Sequence, residues 1–289
     1  MRNRLPHAAL LLVALALHAC SGGGSDAERT PPGGDSAPTT DPNPVAAANP
    51  GSLTQDAIAR RVFHTGVREL VLHAFHEDGA EPYTGRLGLS FDDTWDISEQ
   101  SLGALFENHP ARSLRVPSTL QAMTAVADQG VQDWSLEALV ALGDALRPPL
   151  ASADGSVVNV SIVFLNGLYE GNAGVLGIHP SNRPFAFVFK DVVRRVGGDA
   201  MTQRYVEQAT VVHELGHTIG FVDNGVPMVN AHQDIEHPHH TTDEDGVMFW
   251  QVESPEGSLA LATSLITGAT LQLFGPATLL DAHNHQPSD

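Results

Sequence analysis

One cysteine, Cys20, stands in the 289 residues, so the chain can form no internal disulfide and no metal site built on several thiolates. Basic residues are scarce: 15 Lys and Arg face 34 Asp and Glu, for a formal charge of −19. Such a surface repels phosphate backbones and anionic lipid headgroups, so nucleic acid is excluded as an expected partner. No apolar run is long enough to span a membrane as a helix. No Gly-x-Ser-x-Gly element and no internal repeat is present, which leaves serine- and cysteine-nucleophile chemistry without support. What remains is a chain with 42% hydrophobic residues, enough for one sizeable domain with accessory segments.

The first accessory segment is the N-terminus. Arg2 and Arg4 precede the short apolar run Ala8–Leu17, and Leu17-His18-Ala19-Cys20 closes it, which is the layout of an export signal. The ending resembles a bacterial lipobox, with His18 unusual at its position. That resemblance implies a signal segment over 1–20, lipidation of Cys20, and an exported protein held to a bacterial membrane by the lipid alone, facing periplasm or exterior. Residues 21–52 are Gly, Ser, Pro, Asp, Thr and Ala with almost no large apolar side chain. They cannot bury a core and are expected to form a disordered tether. The folded domain is expected over 53–289.

Within it the pattern is mixed. Alternation predicts a strand over Val67–Phe75 (VRELVLHAF), and continuous apolar runs predict strands at Val157–Leu165 (VVNVSIVFL), Gly174–His179 and Phe185–Lys190. Helical spacing predicts helices over Ser98–Asn108, Ser135–Leu146, Ala200–Phe221 and Glu256–Leu273. Ser135 starts the second of these and Gly220 with Asp223-Asn224-Gly225 ends the third. Asp92, Asp93 and Asp96 form an acidic run expected to be solvated.

The chemistry concentrates at 213–223, His-Glu-Leu-Gly-His-Thr-Ile-Gly-Phe-Val-Asp. Residues four apart share one face of a helix, so His213 and His217 can aim ring nitrogens at one ion. Glu214, one position on, leans beside that ion and can deprotonate a metal-bound water. Gly220 permits the left-handed backbone that ends the helix, and a chain turning back there brings Asp223 to the third coordination position. His232, His237, His239 and His240 crowd the following loop, and His232 and His239 stand as alternatives to Asp223. A fourth position is expected to stay open for water and substrate, as in catalytic rather than structural zinc sites.

HExxHxxGxxD resembles the metzincin signature, in its snapalysin-like variant with Asp in the last place. The resemblance implies an α+β fold: a mixed sheet packed on helices, an active-site helix, a methionine turn under the metal and a C-terminal helix. It implies a zinc-dependent endopeptidase acting on peptide or protein substrates, with His213, His217 and Asp223 on Zn2+ and Glu214 as general base. Gly246-Val247-Met248-Phe249-Trp250 matches the methionine turn at Met248, although Trp250 stands where several metzincins carry tyrosine. Gly174, Val175, Leu176, Gly177 and Ile178 fall where an edge strand pairs with substrate. Segment 53–150 is then an N-terminal subdomain or a prosegment, and it holds no cysteine that would plug the metal. The competing expectation is a non-catalytic zinc-binding lipoprotein serving metal acquisition or interaction.

Overall fold

Val157–Leu165 carries no charged residue and five β-branched or Ile side chains in nine, the composition of a strand buried on both faces. It forms β5 of a computed structural model that describes residues 53–87, 92–268 and 270–287, all within the compact unit Thr39–Asp289. The expected signal segment, Cys20 and the tether lie outside the described residues.

In chain order the elements are α1 (Gln55–Phe63), β1 (Glu69–Glu77), α2 (Asp96–Ala104), β2 (Ser113–Arg115), β3 (Thr124–Val126), β4 (Asp133–Trp134), α3 (Leu136–Leu146) and β5. Then follow β6 (Leu168–Tyr169), β7 (Gly177–Ile178), β8 (Phe185–Phe189), α4 (Lys190–Arg195), α5 (Ala200–Ile219), α6 (Pro255–Gly268) and α7 (Pro276–Asn284). The main sheet runs β2-β1-β5-β8-β7, with β3 also paired to β1. All its pairings are parallel except β7 on β8, where Gly177 faces Val188 and Ile178 faces Phe187. The fold is therefore α+β with a mixed sheet, as expected, and its antiparallel strand lies on the edge.

Segment 53–150 is woven into this sheet. β1 pairs with β5 from Glu69–Val157 to His76–Phe164, and α1 packs against α5. Phe63, Trp95, Phe164, Phe185, Phe187 and Phe189 are fully buried in one continuous core. Several expected bounds shift: the strand at Val67–Phe75 runs Glu69–Glu77 and the helix at Ser98–Asn108 runs Asp96–Ala104. The strand at Gly174–His179 contracts to β7, because the chain from Asn172 turns tightly, with Val175 N–H donating to the Asn172 carbonyl. The C-terminal helix stops at Gly268 instead of Leu273, and a separate α7 opens at Gly275-Pro276, proline being suited to the first helical position.

Candidate metal centre

Helix α5 is fixed at both ends by local chemistry. Asp199 caps its start by accepting from Thr202 N–H at 2.8 Å, and Gly220 ends it at φ 103°. From Tyr205 to Ile219 every residue is buried, so the helix lies inside the protein and its polar groups need internal partners. Its last turn receives them from α1: the Gln55 side-chain amide donates to the carbonyls of His217 (3.0 Å) and Thr218 (2.7 Å). Those carbonyls are among the ones a helix terminus leaves unpaired.

His213 and His217, one turn apart, bring their Nε2 atoms to 3.1 Å. His240 Nε2 lies 3.3 Å from His217 Nε2. Glu253 Oε1 lies 3.0 Å from His240 Nε2, 3.5 Å from His213 Nε2 and 3.9 Å from His217 Nε2. Four ligands at the 2.0–2.1 Å usual for zinc stand about 3.3 Å apart at the corners of a tetrahedron. Five of the six separations among the four atoms lie between 3.0 and 3.9 Å, near that value, and all four atoms fall within 4.8 Å of one another.

The ring orientations agree with a cation at its centre. His213 Nδ1 donates to the Val247 carbonyl at 2.6 Å, and His240 Nδ1 donates to the Pro238 carbonyl at 3.0 Å. In the neutral rings this leaves Nε2 of both as lone pairs. They face the Glu253 oxygen, with one imidazole proton, that of His217, to share among the three. A cation relieves that repulsion. Burial, and after it the imidazoles of His213 and His240, holds His217 well below the ordinary imidazole range, so it too presents a neutral ligand. Three imidazoles and one carboxylate can hold a metal ion, and this donor set suits zinc.

Two expectations are corrected here. Asp223 is not in the group: Val222 and Asp223 both take left-handed backbone, at φ 56° and 58°, which buries Val222 and turns Asp223 out to solvent. The alternatives are engaged elsewhere. His232 pairs with Asp281 at 2.7 Å, and His239, itself at φ 64°, approaches the Val222 carbonyl at 3.4 Å. The left-handed step at His239 sends its neighbour His240 inward. The second correction concerns the fourth corner, expected to be open, where Glu253 Oε1 stands. Nothing local in the sequence marks Glu253; the signal for His240 was the histidine cluster itself, without a rule to choose its member.

Glu214 packs against β7. An added Cβ at Gly177 would stand 2.7 Å from both Cγ and Oε1 of Glu214, so the strand passes directly over the carboxylate. Of the expected substrate strand, Gly177 and Ile178 form β7, whereas Gly174, Val175 and Leu176 lead into it. Met248 sits fully buried in a turn beneath α5, where only a glycine at 216 leaves room for its sulfur. The same turn supplies the Val247 carbonyl that orients His213. Trp250 stacks on His237, ring centroids 4.0 Å apart and 5° from parallel.

No protein-family profile matches the chain, and no curated protein matches it. Among solved structures, it is similar to archaemetzincin (AmzA) from Methanopyrus kandleri at 15% identity and a TM-score of 0.36, over 70% of this chain and 97% of that one.

Proposed function

We propose that the chain is a zinc-dependent endopeptidase, exported and tethered to the outer face of a bacterial membrane through Cys20. The single observation that supports it best is the packing of Glu214, next to His213 on α5, against Gly177 of an antiparallel edge strand. A metal store needs no carboxylate there. His213, His217 and His240 would hold the ion, with Glu253 beside them. Bound zinc would polarise a peptide carbonyl and bring the pKa of water near neutrality. Glu214 would take the proton from the attacking water and deliver it to the departing amine. Backbone groups of β7 would hold an extended peptide with little sequence preference, the usual mode at a sheet edge. The acidic surface favours peptide over nucleic acid as partner.

Glu214→Gln tests this. It should retain zinc at the wild-type ratio while hydrolysis of a denatured casein falls by roughly 10²–10⁴-fold, the usual worth of a positioned base. Unchanged hydrolysis would remove Glu214 from the mechanism. A second reading, a non-catalytic zinc protein, is favoured by Glu253 as fourth donor and by the burial of all four groups. On that reading neither the wild type nor the variant cleaves casein.

A further inference from the structure

The turn Trp250–Glu253 touches the site twice. Its last side chain places Oε1 at the fourth corner of the donor group. Its last carbonyl accepts from Leu176 N–H at 3.0 Å, on the segment that leads directly into β7. One residue therefore holds both a corner of the donor group and the main-chain N–H of the buried segment that leads into β7. The rest of the turn is clamped, by the His237–Trp250 stack outside and by buried Val252 inside. A peptide bound at a metallopeptidase edge strand needs the same two things, a backbone donor and a coordination position.

We propose that Glu253 is a resident fourth ligand that stands in for substrate: its carbonyl keeps Leu176 N–H and its carboxylate keeps the metal position until an incoming peptide takes both. This rests on the peptidase reading for the identity of the displacing ligand, though not for the ligation itself. The exchange involves no covalent change. One hydrogen bond to Leu176 N–H is replaced by another, and one oxygen donor by another. Closure of this kind leaves a buried ion inaccessible to solutes that cannot displace the turn.

The test uses the full chain with cobalt in place of zinc, titrated with acetohydroxamate and followed by visible absorption. Wild type should need roughly tenfold more hydroxamate than Glu253→Ala or Glu253→Gln, because only a minor open population binds it. Equal hydroxamate affinity in wild type and both variants would overturn the proposal. Should Glu253→Ala not retain cobalt, that loss identifies Glu253 as a ligand and Glu253→Gln carries the titration. Casein hydrolysis per bound metal separates the two readings. The expected hydroxamate difference without casein cleavage in any form upholds the Glu253 ligand and sinks the peptidase. Casein cleavage with equal hydroxamate affinity does the reverse.

Discussion

Gly177 and Glu214 meet so closely that a single methyl group at position 177 would overlap the carboxylate side chain, at 2.7 Å from Cγ and Oε1. The same methyl would lie 2.9 Å from the Phe187 carbonyl of the paired strand. Glu214 is the more movable neighbour, so Gly177→Ala is expected to displace it while His213, His217 and His240 keep their metal. Displacement of a reacting group by about 1 Å can cost on the order of 10²-fold in rate. Casein hydrolysis measured beside metal content checks this; loss of both together would mean the strand, not the base, had moved.

The third imidazole is His240. Removing it should weaken zinc binding by more than the roughly 10–100-fold typical of groups that only orient a ligand. Asp223→Asn, at an exposed site, should leave zinc affinity unchanged. Competition with a chromophoric chelator measures both variants, and the opposite ranking would restore Asp223 as the ligand.

Gly216→Ala would stabilise an exposed helix by about 1 kcal/mol through helix propensity. Here the new methyl would overlap the Met248 sulfur and lie 3.2 Å from Phe274. Overpacking of a close-packed interior costs about 1–3 kcal/mol, so the sign should reverse. Thermal melting should show a lower Tm, and zinc affinity should fall as the Met248 turn shifts the Val247 carbonyl away from His213. A raised Tm would show that Met248 yields without cost.

His109 and His285 both pack their rings on Phe63, at 5.1 and 5.2 Å between centroids. Burial comes first among the causes that hold both below the ordinary imidazole range. Below about pH 6.5 the unfolded chain binds protons that the folded one refuses, so their stability contribution is complete above that pH. It is lost as the pH falls through the depressed folded values. His109→Gln, which can still donate to the Ala282 carbonyl that His109 meets at 2.8 Å, should lose less stability than wild type between pH 7.5 and 5. Urea melts at the two pH values measure the difference, and parallel losses would contradict it.

Local chemistry alone determined much of this protein. The apolar run Val157–Leu165 matches β5 to the residue, Ser135 caps α3 by accepting from Ala138 N–H, and Gly220 ends α5. His213 and His217 meet because a helix repeats every 3.6 residues, a rule that needs no knowledge of the rest of the fold. Tertiary structure decided what spacing could not. His240 and Glu253 reach the site through a long irregular loop whose course depends on left-handed steps at Val222, Asp223 and His239. No side-chain pattern encodes those steps, since none of the three is glycine. They persist because buried Val222, the His232–Asp281 pair and the Trp250 stack over-determine the loop around them. Which donors close around the ion is thus a property of the packed whole.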